Sequence, residues 1–567
     1  MTPFVRPPVI ERGDRVRARS VFLILLGLYT ATFSGLPDNP DAEVEFQTTR
    51  SLARRGSYAL GDTPEARALI EATPEARGGL QGFNVVPAPS REGVYYSWFG
   101  VGQALAAVPL YIAGSALARV FPEYEERHRA TTHYGVGRSE YFEHLLVGWR
   151  NALLTALTAW LLVGAARRVG ASGSSAWLGA LAYGMATFAW PQARSSLSDV
   201  QATLCLFLAF ALLLRVREGH GRLRPLHPIE VAGIGAALGA AFLTRIALAP
   251  AALVLFVISA ATLMRVHRGE GVQRHRVFDL VRLSVPVVAA LAYLVFANNL
   301  RFDDPLETGY GAALGDFFSE SPHVALAGLL VSPGKGLFWM APGVLLVGVG
   351  MARARARGER LWPWTFSIVA LAVIAPLAAT QSWHGAWTYG PRYLLPLLPF
   401  AWLGVPLAFD RLAQHPVRRG LAATLVVGGL FVSFPAVLVD HPTHEDLALQ
   451  GARVAWPEVE GANEAERDAV RFERIQWDLR FAAPWAHWRI LRHRVAGLGE
   501  EFPLRQIYFL DDDRTVTPAH ERDRGFRHLA WVDFQERLDG PAWPAALLCL
   551  LLLAGGLICA VAGMEPG

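Results

Sequence analysis

The sequence has 567 residues, of which 52% are hydrophobic and 18% are charged, and its mean hydropathy is +0.27. Apolar runs of about 17–25 residues recur along it, which is long enough to cross a bilayer, so it predicts a polytopic membrane protein and excludes a soluble one. The formal net charge of +4 does not indicate nucleic-acid binding, because the arginines cluster between apolar runs. The three cysteines, Cys205, Cys549 and Cys559, lie inside apolar runs and predict neither disulfides nor a metal site.

The chain begins with a basic flank and an apolar run, a pattern that signal peptides and first membrane spans share. No small-residue cleavage site follows the run, so we predict an uncleaved anchor. Hydropathy predicts thirteen apolar segments in all: 20–36, 98–119, 145–166, 175–191, 199–214, 229–246, 248–264, 280–297, 337–351, 362–379, 392–409, 420–439 and 542–562.

Arginine clusters alternate with arginine-poor loops, and the positive-inside rule predicts that the clusters are cytoplasmic. They lie at 15–19, 167–168, 215–224, 265–276, 353–357 and 418–419. Strict alternation through 98–119 and 145–166 would place Arg167 and Arg168 outside. Either segment 98–119, which contains Pro109, does not fully cross, or the boundaries merge two elements. The predicted extracytoplasmic loops are 37–97, 192–198, 298–322, 380–391 and 440–541. The last is long enough for a small domain before a final membrane segment at 542–567.

The first predicted loop opens with acidic residues after a proline. Asp41 and Glu43 follow Pro40, so a helix can begin there with both acids in its first turn and lie on the membrane surface. Carboxylates are favoured in the first turn of any helix, so the position alone fits a structural role as well as a catalytic one.

Three cations lie near predicted span ends. Arg194 precedes Asp199 in "FAWPQARSSLSDVQA", and Arg245 lies in the apolar hairpin "FLTRIALAP", where it is either paired within the bundle or free to bind a lipid phosphate. Lys335 lies in "LLVSPGKGLFWMAP", where the turn either holds an anion on its backbone amides or carries a snorkelling lysine.

The segment "QSWHGAWTYGPRYLLPLLPF" combines flexible glycines with aromatic residues and places Arg392 at the start of a predicted helix. The guanidinium can bind a phosphate bidentately, and His384, Trp387 and Tyr389 can contact a sugar. An aromatic belt at the membrane interface with a snorkelling arginine has the same composition. The loop "NNLRFDDPLETGYG" supplies further polar residues, ending in Tyr310.

The histidines and acids of "DHPTHEDLA", 440–448, are metal-ligand types without a ligand pattern, and we expect no metal there. A polar loop or helix cap explains them as well.

Five motifs in order resemble a bacterial branch of the GT-C glycosyltransferases, grouped with the protein O-mannosyltransferases and aminoarabinose transferases and similar to glycosyltransferase family 39. They are "PDAEVEFQTTRSLARRGSYAL", "GVYYSWFGVGQALAAVPLYIAG", "NNLRFDDPLETGYG", "LLVSPGKGLFWMAP" and "SWHGAWTYGPRYLLPLLPF". The resemblance runs from about residue 20 to 410. It implies an all-α polytopic GT-C type helical bundle with about 12–13 membrane segments, comprising 1–439. The small extracytoplasmic C-terminal domain that loop length predicts at 440–541 lies outside the resemblance.

Members of this family transfer a sugar from a polyprenyl-phosphate carrier to an acceptor outside the cytoplasmic membrane. The resemblance implies an acidic residue at the start of the first-loop helix, which Asp41 matches best and Glu43 second. The branch often has glutamate at the position of Asp199, where this sequence keeps the charge. It often has glycine at the position of Asp303, so Asp303 adds an acid in this sequence.

The implied reaction uses Asp41 to accept the proton of the acceptor and Arg392 to hold the lipid phosphate, with Arg194, Arg245 and Lys335 as lower-ranked phosphate ligands. Direct attack with one carboxylate as base predicts inversion at the anomeric carbon. We expect no cofactor and no divalent metal. The expected location is the bacterial inner membrane, with membrane lipids around the bundle and a glycan, lipid or protein acceptor outside.

Two other functions fit the same residues. A transporter or flippase for a lipid-linked sugar would also bind phosphate and sugar in a basic, aromatic groove, although no paired repeat is visible. A non-catalytic scaffold could bind a partner through 440–541.

Overall fold

The computed structural model describes residues 11–37, 39–72, 85–133, 136–216, 224–266, 273–309, 321–519 and 525–563. Tyr310 lies outside them. The described chain is mostly helical, which confirms the predicted all-α polytopic fold. The first half forms α1 (Arg12–Ala31), α2 (Pro40–Arg55), α3 (Pro64–Ala72), α4 (Val101–Val120), α5 (Pro122–Arg129), α6 (Tyr141–Arg168), α7 (Gly173–Met185), α8 (Ala189–Arg194), α9 (Ser198–Leu213), α10 (Pro228–Thr244), α11 (Ala249–Val266) and α12 (Gln273–Phe302).

The second half is also mostly helical. It forms α13 (Pro322–Val331), α14 (Leu337–Met340), α15 (Val347–Ala356), α16 (Leu361–Ala378), α17 (Leu398–Trp402), α18 (Gly404–Leu412), α19 (Pro416–Leu438), α20 (His441–Ala455), α21 (Glu464–Ile475), α22 (Ala483–Val495), α23 (Leu504–Tyr508), α24 (Ala530–Leu538) and α25 (Trp543–Ala562). Short 3₁₀ segments lie at Leu214–Val216, Ile246–Leu248, Pro342–Leu346 and Arg392–Leu397.

Strands are short and form three antiparallel pairs among the described residues. They are β1 (Val85–Pro87) with β2 (Tyr95–Ser97), β3 (Thr132–His133) with β4 (Val136–Gly137), and β5 (Phe502–Pro503) with β6 (Thr515–Val516). None of them contributes to the main hydrophobic core, which lies between the long helices.

Eight described helices are long and apolar enough to cross a membrane, and a ninth span results if a bent pair counts as one. The eight are Val101–Val120, Tyr141–Arg168, Ser198–Val216, Ile246–Val266, Arg274–Phe302, Leu361–Ala378, Pro416–Leu438 and Trp543–Ala562. The bent pair is Arg392–Trp402 with Gly404–Leu412, at 42°.

This count is lower than the number of predicted segments because several of those segments are short, charged or broken helices. Segment 175–191 divides into α7, with 13 residues, and α8. Segment 337–351 divides into α14, a 3₁₀ segment and α15. Helix α1 starts at Arg12, so its first two turns are charged and only its second half is apolar.

Helices α1 and α6 are antiparallel neighbours, and their contacts define two ends of the bundle. At one end, which we call the lower end, Arg167 Nε lies 2.9 Å from Asp14 Oδ2. At the other, the upper end, Trp149 Nε1 donates to Thr30 Oγ1 at 3.0 Å. The chain leaves α1 at the upper end and enters α6 at the same end.

Helix α4 lies across the upper end and does not pass between the two ends. A Cβ at Gly102 would come within 2.6 Å of the backbone of Thr244, at the last residue of α10, and a Cβ at Gly114 within 2.6 Å of Glu143, in the first turn of α6. Both halves of α4 therefore contact upper-end helix termini. Of the two explanations for the position of Arg167 and Arg168, the structure favours the one in which 98–119 does not cross.

A second hydrophobic cluster is separate from the main core and joins α20, α22 and α23. Its buried members include Phe481, Ile490, Leu504 and Tyr508. It begins where α19 ends, at Val439, within one residue of the predicted start of the C-terminal domain.

Candidate active site

Helix α2 places the first two candidate residues in its first turn. The side chain of Asn39 caps the helix by accepting a hydrogen bond from the Ala42 backbone N–H at 2.9 Å, and Pro40 occupies the first helical position. The predicted juxtamembrane helix therefore begins as expected, and Asp41 lies beside the positive end of the helix dipole.

Asp41 and Arg392 contact each other although they are 351 positions apart. Both terminal nitrogens of Arg392 donate to Oδ2 of Asp41 at 3.3 Å. The Arg392 side chain is 8% exposed and that of Asp41 is 22% exposed. The structure thus brings the predicted base and the predicted phosphate ligand together, and solvent reaches the carboxylate more than the guanidinium.

A second cation and carboxylate pair lies beside the first, and the arginines of both pairs lie close to the Tyr393 ring. The Arg245 guanidinium lies 4.8 Å from the centre of the Tyr393 ring, and that of Arg392 lies 5.0 Å from it. Arg245 Nη1 is 2.6 Å from Asp199 Oδ1. Of the two predicted states of Arg245, pairing within the bundle is the one observed.

Glu43 faces away from this cluster. Side chains two positions apart on a helix point about 200° apart, so Glu43 and Asp41 lie on different faces. Its carboxylate lies 3.2 Å from His144 Nε2 and accepts a hydrogen bond from Gln47 at 2.7 Å. Burial alone would raise the pKa of Glu43, but His144 more than offsets this and lowers it.

Lys335 lies in a buried contact between the bundle and α20. We call this contact the joint, and it comprises Lys335, Ala386, Thr388, His441 and Glu445. Its Nζ donates to Glu445 Oε1 at 2.9 Å, to the Ala386 carbonyl at 2.9 Å and to the Thr388 carbonyl. His441 lies 2.8 Å from the same Glu445 oxygen. The lysine side chain is 1% exposed, so in this structure it binds Glu445 and two carbonyls and does not face an open site.

Burial lowers one pKa in this joint and neighbouring positive charge lowers another. Burial lowers the pKa of Lys335, and Glu445 partly restores it. Burial would raise the pKa of Glu445, but Lys335 and His441 lower it to about 2. At neutral pH the glutamate is therefore ionised between two nitrogen donors.

The aromatic residues of 381–391 pack on α19, α20 and α21. The His384 ring lies 5.1 Å from that of Phe472 on α21, and Trp387 stacks on the same ring at 6.2 Å. Tyr389 donates to the Val432 carbonyl at 3.1 Å, and its ring lies 5.6 Å from His441. Burial lowers the pKa of His384 to about 4, so it is neutral at pH 7.

Arg194 lies beside a small cavity at the start of α20. Its Nη2 donates to Asp440 Oδ1 at 3.3 Å. The cavity has a volume of about 20 Å³, enough for about one water molecule, and its lining includes Asn39, the cap of α2, and Trp387. Within the part of the chain that the structure describes, no cluster of His, Cys, Asp or Glu has a metal-binding arrangement.

The sequence interpretation missed Glu45, Arg150 and Tyr393. Tyr393 follows Arg392 directly, and Arg150 is an arginine inside an apolar helix, which is a recognisable signal. Glu45 lies one helical turn after Asp41, so its spacing predicts the same face. Burial raises the pKa of Glu45 to about 8, with Asp41 acting in the same direction and Arg150 opposing.

No protein-family model and no curated protein matches this chain. Among solved structures, it is similar to ArnT from Cupriavidus metallidurans bound to undecaprenyl phosphate, with 15% identity, a TM-score of 0.42, and coverage of 96% of this chain and 75% of ArnT. It is also similar to the oligosaccharyltransferase AglB from Archaeoglobus fulgidus, in complex with an inhibitory peptide and a dolichol-phosphate. That match has 11% identity, a TM-score of 0.39, and coverage of 82% of this chain and 62% of AglB.

Proposed function

We propose that this protein is an integral membrane glycosyltransferase. It would move a sugar from a polyprenyl-phosphate carrier to an extracytoplasmic glycan, lipid or protein, with inversion and without a metal or other cofactor. The single observation that supports this most is the contact between Asp41 and Arg392 at the upper end of the bundle. A carboxylate and an arginine at one mostly buried point supply the base and the phosphate ligand that the reaction needs.

The geometry supports one order of events. Arg392 donates both terminal nitrogens to one carboxylate oxygen at 3.3 Å, which is long for a charge-assisted hydrogen bond. A phosphate can replace Asp41 as acceptor, which frees the carboxylate to take the proton of an acceptor hydroxyl. The oxygen of the acceptor hydroxyl then attacks the anomeric carbon. The bond from that carbon to the phosphate oxygen breaks, and Arg392 stabilises the departing phosphate. A single displacement inverts the anomeric carbon.

The pair of Arg245 and Asp199 supports phosphate binding by Arg245, which we rank below Arg392. Arg245 and Arg392 both lie within about 5 Å of the centre of the Tyr393 ring, so Arg245 adds positive potential to the site while remaining paired with Asp199. The side chains of Arg194 and Lys335 are only 4% and 1% exposed, against 8% for Arg392 and 22% for Arg245, so we rank them below those two as phosphate ligands.

The arginine clusters support an orientation with the site outside a bacterial cytoplasmic membrane. Arg357, of a predicted cytoplasmic cluster, donates to the Gly170 carbonyl just after α6, at the end of the bundle where Arg167 pairs with Asp14. By the positive-inside rule this lower end faces the cytoplasm, and the upper end, with Asp41, faces outward.

The test is transfer by the purified protein in proteoliposomes from a set of polyprenyl-phosphate sugars. We expect wild-type transfer and a loss on the order of a thousandfold in Asp41→Asn, because the amide cannot accept the proton. Asp62→Asn, at an exposed position on the same loop, is the matched control and should keep wild-type rates. Undiminished transfer by Asp41→Asn would remove Asp41 as the base, and lipid flipping without transfer would favour the transporter.

A further inference from the structure

Glu45 is a buried acid on the side of α2 that carries Asp41. It lies four residues after Asp41, one turn further along the helix. The residue is only 5% exposed, and its Oε1 has no hydrogen-bond partner among the described residues. An ionised carboxylate left unpaired in such a place costs several kcal/mol, whereas a neutral one costs far less.

Charged groups act on Glu45 from four elements: Asp41 on α2, Arg150 on α6, Arg245 after α10 and Arg301 on α12. Each arginine already has other acceptors. Arg150 donates to the Gln103 carbonyl at 3.2 Å and its Nε has no partner among the described residues, and Arg245 pairs with Asp199. The carboxyl is therefore close enough to feel these charges without being neutralised by direct contact.

The effect of burial exceeds that of the arginines, and it raises the pKa of Glu45 to about 8. Asp41 adds to the rise because two carboxylates in one site oppose ionisation of the second. Arg392 contacts Asp41 at 3.3 Å, whereas no arginine among the described residues forms an ion pair with Glu45.

We propose that Glu45 is a positioning residue that stays neutral while the donor binds, and so leaves the positive charge of Arg392 and Arg245 available to the lipid phosphate. This inference rests on the proposed function. Ionising Glu45 would add a negative charge one turn from Asp41 and oppose binding of the phosphate. The effect on donor binding appears as a rise in the donor KM.

The test measures binding of a polyprenyl phosphate without sugar to the purified protein in nanodiscs from pH 6.5 to 9. If only the neutral form binds, the wild-type Kd rises about tenfold between pH 7 and pH 9. In Glu45→Gln, which mimics the neutral acid, the rise disappears. Glu92→Gln, at an exposed position, should follow the wild type and controls for the loss of a carboxylate as such.

A wild-type Kd that does not change with pH overturns the proposal, and this result needs no variant to fold. An equal rise in Glu45→Gln, with melting equal to wild type, also overturns it. Binding with the expected pH dependence but no sugar transfer at any pH would contradict the proposed function and leave the role of Glu45 intact. Failure of the wild type to bind at every pH would overturn both.

Discussion

Arg392 meets Asp41 through two nitrogens of one planar group, which sets it apart from the other cations near the upper end. Arg194 has one nitrogen on Asp440, and Lys335 is a point charge buried among Glu445 and two carbonyls. A guanidinium can exchange a carboxylate for a phosphate without losing its fork geometry, and an ammonium cannot reproduce that geometry.

Arg392→Lys therefore keeps the charge and removes the bidentate contact. We expect the donor KM to rise about tenfold, or ~1.4 kcal/mol, with a smaller change in the acceptor KM. Steady-state transfer with varied donor measures this. Arg418→Lys, an exposed position at the start of α19, is the matched control. A wild-type donor KM in Arg392→Lys would show that Arg392 does not bind the phosphate.

At the scale of elements, the turn around Lys335 and the segment 381–391 together hold α20. Glu445 and His441 on α20 contact Lys335, and Tyr389 packs against His441. His384, Trp387 and Tyr389, which were predicted as sugar contacts, pack on Phe472 and His441 in this structure, and their contact with a sugar stays a prediction. Aromatic residues at a domain junction have the same composition as a sugar-binding wall, and only the three-dimensional contacts distinguish them.

The joint should weaken in acid. Burial lowers the pKa of His441, and that of Glu445 falls to about 2, so both folded-state values lie below the unfolded ones. The unfolded state then binds more protons at these two groups, and the stability that His441 and Glu445 contribute is fully present above about pH 6.5 and is lost as the pH falls.

Hydrogen exchange of α20 and of 381–391 at pH 7.5 and 5 measures this loss when each rate is divided into the intrinsic rate at that pH, and we expect lower protection at pH 5 in both segments. Glu445→Gln should lose protection already at pH 7.5, because the amide leaves the Lys335 charge buried without a carboxylate. Protection that is independent of pH would contradict the assignment of the joint.

The start of α2 was predictable from Pro40 and the first-turn acids, since helix N-termini carry local signals. The meeting of Asp41 with Arg392 was predictable only through the family resemblance and the orientation of the loops, because no local pattern relates positions 351 apart. Glu45 was visible in the spacing, but its burial was not, since burial depends on α4, α6 and α12 packing around α2.

At the scale of the whole molecule, α4 decides the topology. It is long and apolar enough to cross a membrane, yet both halves contact upper-end termini. Composition alone cannot separate a span from a helix that covers the end of a bundle, which is why the predicted alternation failed at this point. Because α4 lies across the upper end, Arg167 and Arg168 lie at the lower end, with the other arginine clusters.

Cysteine labelling tests this arrangement. Glu92→Cys before α4 and Glu123→Cys after it should both react with a membrane-impermeant maleimide from outside, while Arg418→Cys should react only after permeabilisation. The native Cys205, Cys549 and Cys559 are replaced first. Labelling of the two α4-flanking positions from opposite sides would show that α4 crosses.

The central claim is that Asp41 and Arg392 form the donor site, and an experimental density map of the protein with a bound polyprenyl phosphate tests it most directly. The account predicts phosphate density on the Arg392 guanidinium, with Asp41 displaced from its 3.3 Å contact and facing open space. A phosphate bound elsewhere, with Arg392 still paired to Asp41, would contradict it.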